Sequence, residues 1–499
     1  MMRRALLIGT VVLAAVGVAV ATPLAVKASR GARQLPVSFS GEFAIDPDSR
    51  DQPVIPPSFL GISHEWPYAE EMSTQPKYME MMNYLSSFGS GPINVRVGGG
   101  STDIQDFVPP DAVWDSLAAL NKGTGAKFII GLNLEEMNPD LALRQMKAAQ
   151  AKLPAGSIQY FEIGNEPNFF INVKGKSGED YIATYFHEDW KRHAKFLTCN
   201  GGECDQGSNL FAGPAWGHVN VRNTTIDWFL QVNAKYVGLV TLHWYKATKE
   251  TYNTPATLME EAPIRKEADN LRELVRVSRG FGKPLRVAEM NTISNSGRDG
   301  VSNTLAAALW TLDAMFEVAS TGAVGVNLHQ GAGQNLYSAL IRWYRDDGVT
   351  IRPVGIRPPF YGMALFQQAV RSNSQLLRST ASGGDTSGIK VWPLWGAPEK
   401  QVRVVVINKR ADKAGNVTLS FSKGGNFGDA EVLRLVANSA SPLDAQTGIS
   451  LGGQYWDDET VMQGQRTTEK APRAAAGGKQ SWSIYMPPGS AAIVTIPKL

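Results

Sequence analysis

The sequence predicts an α/β fold: a (β/α)8 TIM barrel followed by an antiparallel β-sandwich domain that an N-terminal strand completes. Two observations carry this. Between Ser58 and Leu328, short runs rich in β-branched and aromatic residues alternate with stretches of helical period, eight times over. Eight such units close into a barrel more readily than they spread into an open sheet. Beyond Val370 the pattern turns to short alternating strands separated by turn residues, which is the signature of a sandwich. No Gly-x-Gly-x-x-Gly opens a helix, so a doubly wound dinucleotide site is not indicated. Gly98-Gly99-Gly100 reads as a tight turn at the barrel rim.

Pro36 to Ile45 alternates Val37, Phe39, Phe43 and Ile45 and is expected to pair with the sandwich. The barrel strands are expected at Phe59–Ser63, Ile93–Val97, Lys127–Asn133, Ile158–Ile163, Leu210–Pro214, Val237–Tyr245, Pro284–Asn291 and Val324–Leu328. Helices fall between them at Tyr78–Phe88, Ala112–Asn121, Pro139–Lys152 (Pro near N1), Tyr181–Phe196, Ile226–Ala234, Thr257–Arg279 and Ser302–Ser320. A last helix runs from Arg357-Pro358-Pro359-Phe360 to Val370. Sandwich strands follow at Gly388–Trp392, Val402–Ile407, Val417–Phe421, Ala430–Val436, Trp482–Tyr485 and Ala491–Ile496, with Gly448–Gly477 as a long loop. The expected division is 1–30 leader, 36–47 joining strand, 48–372 catalytic barrel and 373–499 sandwich.

The 499 residues are 43% hydrophobic and 19% charged, with net charge +3. That balance suits a large-core, loop-rich secreted protein and gives no support for nucleic-acid binding. Arg3 and Arg4, the apolar run Ala5–Ala21, and small residues at Ala19-Val20-Ala21 and Val26-Lys27-Ala28 make an export leader. A secreted or periplasmic protein is expected, with no membrane span after cleavage; an uncleaved anchor is the alternative. The two cysteines, Cys199 and Cys204, flank Gly201-Gly202. In an exported chain this reads as a small loop-closing disulfide, with two free thiols as the alternative. No further ligands lie nearby, so no metal is expected there.

Two strands end on glutamate. Ile158–Ile163 runs into Gly164-Asn165-Glu166-Pro167, and Leu285-Arg286-Val287-Ala288 runs into Glu289. The carboxyl ends of barrel strands line the active site, so Glu166 and Glu289 would face each other across the mouth. Opposed carboxylates in one cleft serve glycoside hydrolysis, one protonated to donate and one ionised to attack. A lone glutamate at a strand end would be a salt-bridged loop residue; the matched pair argues otherwise.

On these residues, the sequence is similar to retaining glycosidases of the large clan with Asn-Glu-Pro on strand four and a glutamate on strand seven. More narrowly it resembles glycoside hydrolase family 79, the heparanase and β-glucuronidase family, over residues 36–499. The matching pieces are Phe59–Glu65, Val95–Gly99, Glu162–Pro167, His243-Trp244-Tyr245 and Val287–Asn291. The resemblance implies Glu166 as acid/base, Glu289 as nucleophile, and Asn165 bonded to the sugar 2-hydroxyl. It implies Tyr245 holding the nucleophile, Arg96 beneath it favouring ionisation, and Glu65 on the non-reducing sugar. The bland alternatives are rim packing for Tyr245, a core role for His243, a loop carboxylate for Glu65 and a structural ion pair for Arg96. The family's uronate-binding tyrosine has no counterpart in Thr292–Gly297; amides near Asn295 and the phenol of Tyr337 are the expected substitutes. The implied activity is retaining β-glucuronide hydrolysis by a monomer without cofactor. Hydrolysis of neutral β-xylosides, arabinosides or glucosides, or silent carbohydrate binding, are the alternatives.

Overall fold

The computed structural model describes residues 36–220, 223–251, 253–331, 340–345, 351–371 and 373–499. The expected leader and Tyr337 lie outside the described residues.

A first strand, β1 (Phe39–Asp46), precedes a closed barrel of eight parallel strands. These are β2 (Leu60–His64), β3 (Asn94–Val97), β4 (Lys127–Leu132), β5 (Ile158–Ile163), β6 (Phe211–Trp216), β7 (Val237–Ala247), β8 (Leu285–Ile293) and β9 (Gly325–Gln330). β9 returns to β2 with Leu60 opposite Val326, which closes the ring. Helices cover the outside of a parallel barrel and side chains fill its inside, so its strands read as near-continuous apolar runs. All nine residues of β8 are buried.

Between barrel and sandwich lies a hairpin, β10 (Ile341–Arg345) and β11 (Ile351–Ile356), then the helix Pro358–Val370. The strands that follow are β12 (Gln375–Leu376), β13 (Arg378–Gly384), β14 (Ile389–Gly396), β15 (Gln401–Asn408), β16 (Gly415–Phe421), β17 (Ala430–Ala437), β18 (Ile449–Leu451), a separate hairpin of β19 (Tyr455–Trp456) and β20 (Met462–Gln463), β21 (Glu469–Ala471), β22 (Ala474–Ala476), β23 (Lys479–Met486) and β24 (Ser490–Pro497). One sheet runs β13-β1-β16-β23-β22 and the other β12-β14-β15-β24-β17-β18, with β21 on β17. β1 lies parallel to β16 and antiparallel to β13, so the N-terminal strand completes the sandwich as the sequence predicts. Its period-two alternation buries Phe39, Phe43 and Ile45 in the sandwich core beside Val417, Leu419, Phe421 and Trp482.

The helix Leu305–Thr321 is buried almost throughout: it lies against the barrel and the helix Pro358–Val370, and Trp392 and Lys409 of the sandwich reach Phe316 and Asp313 on it. Gly362 on Pro358–Val370 permits a close crossing, since a Cβ there would lie 2.3 Å from the Ala308 carbonyl oxygen.

Several expectations change. The helix expected over Thr257–Arg279 is two helices, Pro255–Leu258 and Glu261–Gly280. Pro263 sits in the first turn of the second, where a proline is tolerated, and cannot continue a helix from upstream. Tyr181–Phe196 is interrupted by a π turn at Ile182–Phe186. The expected loop Gly448–Gly477 contains β18 to β22, too short to carry a periodic signal. β13, with sequence RSTASGG, is a mostly exposed polar edge strand and has no apolar face to reveal it.

Candidate active site

The geometry begins at the end of β5. Gly164 and Glu166 both take positive φ, so the chain turns sharply and lifts the Glu166 side chain above the strand end. The turn is held by Glu166 N–H donating to the Ala215 carbonyl at 2.8 Å. Room for the carboxyl comes from Gly217 after β6: a Cβ there would lie 2.9 Å from Glu166 Oε1 and 2.3 Å from Phe169 Cε2. Asn165 is buried beside it, its N–H donating to Asp103 Oδ1 at 3.1 Å.

Glu289 stands on β8. Tyr245 Oη donates to Glu289 Oε1 at 2.7 Å, and Arg96 Nη1 donates to Glu289 Oε2 at 2.6 Å. Arg96, fully buried on β3, spends its other donors on Glu162 Oε2 at 2.5 Å and Asn165 Oδ1 at 2.8 Å. One guanidinium fork therefore ties together strands β3, β5 and β8. Burial alone would raise the Glu289 pKa. The charges of His329, His243 and Arg96 and the Tyr245 hydroxyl outweigh it and hold the group well below its ordinary value. Arg96 in turn is held above its usual value: burial opposes its charge, and Glu162 and Glu289 overcome that.

His243 Nδ1 lies 2.7 Å from Glu166 Oε1 and 4.0 Å from Glu289 Oε2, between the two carboxyls. Carboxylate oxygens of Glu166 and Glu289 lie within 4.8 Å of each other. Glu166 is the more open of the two, with 26% of its side chain exposed against 9% for Glu289. Glu166, His243 and Glu289 could offer three ligand atoms to a cation. Arg96 and Tyr245 already donate to both Glu289 oxygens, which is a poor setting for a further positive charge.

The structure thus brings Glu166, Glu289, Asn165, Arg96, Tyr245 and His243 into one cluster. Glu65 joins its margin: its carboxylate accepts from the N–H groups of Gly100 at 3.1 Å and Ser101 at 2.8 Å and from the Ser101 hydroxyl. Asn295 stands apart, exposed, with its side-chain amide 3.4 Å from Glu250 Oε1. The Gly297 amide, one of the expected anion donors, is used by the Ser294 carbonyl at 3.4 Å. Cys199 and Cys204 are joined in a disulfide just after the helix His187–Thr198.

Three members of the cluster, His329, Ser63 and Glu162, are not singled out in the sequence. His329 Nδ1 sits 3.1 Å from Ser63 Oγ and 3.6 Å from Glu289 Oε2, and its Nε2 3.8 Å from Glu65 Oε1. Glu162 is the buried counter-ion of Arg96. His329 stands one residue past the expected end of the eighth barrel strand, and Glu162 lies inside the motif that carries Glu166. A rule that polar residues on buried barrel strands need partners would have found both.

No protein-family model matches the chain. A β-glucuronidase of Aspergillus niger is 24% identical over 92% of this chain and 90% of its own length. Among solved structures, a 4-O-α-L-rhamnosyl-β-D-glucuronidase from Fusarium oxysporum superposes with TM-score 0.73 at 20% identity, covering 91% of this chain and 100% of that one. A GH51 arabinofuranosidase from Xanthomonas axonopodis pv. citri gives 0.63 at 14% identity, over 92% and 100%. The fold is that of the clan A glycoside hydrolases: an eight-stranded parallel barrel with an antiparallel sandwich.

Proposed function

We propose that this chain is a retaining β-glucuronidase of the family 79 type, exported and monomeric, acting without a cofactor on glucuronic-acid-containing glycosides or glycans. The observation that carries the reading is the paired carboxylates, with oxygens within 4.8 Å, one engaged by two strong donors and the other open. That separation suits double displacement; an inverting pair stands about 6.5–9.5 Å apart to admit a water between. The Aspergillus niger relative, aligned almost end to end, supports the glucuronide substrate. The apolar leader supports export. No helix among the described residues is long and apolar enough to cross a membrane.

In this reading Glu289 attacks the anomeric carbon while Glu166 gives its proton to the leaving oxygen. Glu166 then takes a proton from water, which attacks the same carbon and releases Glu289. Glu289 stays ionised because Arg96 and Tyr245 reach it. His243 shares a hydrogen with Glu166 and orients it for both transfers. Asn165, held at its carbonyl by Arg96, turns its amide nitrogen to the sugar.

The test is a panel of p-nitrophenyl β-glycosides of matched aglycone. The β-glucuronide is expected to have the highest kcat/KM. Faster turnover of the β-xyloside, arabinoside or glucoside would remove the uronate claim and leave the two-glutamate mechanism standing.

A further inference from the structure

The two sides of the mouth differ in chemistry. Around Glu289 the lining is polar and enclosed: Arg96, Asn165, Ser63, His243 and His329. Around Glu166 the loops instead present large apolar side chains to solvent. Phe169 is 57% exposed, Ile171 83% and Ile104 77%. Scattered exposed apolar residues are ordinary, but Phe169 stands in the turn that follows Glu166, Ile171 comes just after that turn, and Ile104 ends the short helix Gly100–Ile104 after β3.

Phe169 follows Glu166 in a single 3-10 turn, with its N–H donating to the Glu166 carbonyl at 2.7 Å. The point 2.3 Å from its Cε2 is also 2.9 Å from Glu166 Oε1, so the ring edge lies beside the carboxyl. Ile104 is anchored through its neighbours. Asn133 donates to the carbonyls of Thr102 and Asp103 at 3.1 and 2.7 Å, and Asp103 accepts from the Asn165 amide at 3.1 Å. Ile171 comes just after Phe170, the C-cap of the turn that holds Phe169. The exposed Phe169 ring is thus held beside the carboxyl of the proton donor.

We propose that Phe169, with Ile104 and Ile171, forms a leaving-group subsite, and that the natural substrates carry an apolar ring, aryl or polycyclic, as aglycone. This rests on the glucuronidase reading above. The aglycone oxygen must approach Glu166 to be protonated, and an aglycone with a flat apolar face would cover the Phe169 ring as it does so. A purely polar leaving group would leave those side chains in water.

The experiment compares 4-methylumbelliferyl β-glucuronide with β-glucuronyl fluoride, whose leaving group is a single atom. The readout is the ratio of their kcat/KM values. In Phe169→Ser this ratio is expected to fall about tenfold, chiefly through KM for the aryl substrate, as loss of an aromatic contact implies. In Phe169→Tyr, which keeps the flat ring, the ratio is expected to stay within about twofold of wild type. A ratio unchanged in Phe169→Ser overturns the subsite, and so does an equal fall in Phe169→Tyr. If the wild-type enzyme turns over neither glucuronide, the glucuronidase reading itself fails and takes the subsite with it; turnover of the fluoride separates the two failures.

Discussion

Glu289 keeps its charge in a buried position because His329, His243 and Arg96 surround it and each of its oxygens has a donor, one phenolic and one guanidinium. The sign of the consequence follows from that. A carboxyl held below its ordinary 4.5 stays ionised as pH falls through that value. The acid limb of kcat/KM set by Glu289 is therefore expected well below pH 4.5. Tyr245→Phe removes one donor, so the limb should move to higher pH and the plateau rate should fall by about one to two orders of magnitude, the worth of a hydrogen bond to a charged group. A pH–rate profile of the variant checks this; a limb that stays in place would mean Tyr245 does not bear on Glu289 ionisation. At this scale much of the cluster is legible in the sequence. Glu166, Glu289, Asn165, Arg96, His243 and Tyr245 each sit on or just past a recognisable strand. His329, Ser63 and Glu162 lie on or beside the same expected strands, but their roles show only where the folded barrel sets Glu162 and Ser63 on Arg96 and His329 beside Glu289. Asn295 misled for the same reason: a loop's positive-φ residues, Asn295, Ser296 and Gly297, say how it turns and not which way it faces.

At the scale of elements, Cys199 and Cys204 close the turn after the helix His187–Thr198 with a sequence separation of 5. A loop that short restrains the unfolded chain little. Cys204→Ser is expected to cost about 2 kcal/mol on the chain-entropy estimate, read by thermal unfolding, without change in kcat. A large loss of activity would show that this turn positions the β5–β6 side of the mouth. Element boundaries were legible where periodicity or punctuation marks them, as at Pro139–Lys152. They were hidden where the signal is tertiary. The polar edge strand β13 exists because β1 offers it a partner, and the π turn at Ile182–Phe186 has no mark in its residues.

Across the whole molecule, barrel and sandwich are joined by a partly buried ion network. Lys409 of the sandwich contacts Asp313 at 2.5 Å and Glu261 at 2.7 Å on barrel helices; Lys390 contacts Glu317 at 2.6 Å and also Glu261. Burial opposes the charge on Glu261, but Lys409 and Lys390 bring its pKa from 4.5 down to about 2. Its stabilising contribution is full above pH 4.5 and is lost as pH falls toward about 2. Glu317 works the other way, raised by burial and by Asp313, so acid relieves it. Lys409 is held above its ordinary 10.5 by Asp313 and Glu261 against burial, so its contribution is lost only as pH rises past that value. Lys409→Met leaves Asp313 buried without this partner and is expected to destabilise by about 3–5 kcal/mol. The loss should narrow as pH drops below 4.5 in denaturant titrations; a loss of under about 1 kcal/mol would place the network among exposed pairs of little worth.

The central claim is that Glu289 becomes covalently bonded to the sugar while Glu166 moves the proton. Trapping tests it most directly. The enzyme is inactivated with 2-deoxy-2-fluoro-β-glucuronyl fluoride, digested, and the labelled peptide sequenced by mass spectrometry. The expected result is a single fluoroglucuronyl adduct on Glu289. An adduct on Glu166 would reverse the roles, and turnover of β-glucuronides with release of the α-anomer and no adduct would mean that the two carboxylates act by inversion.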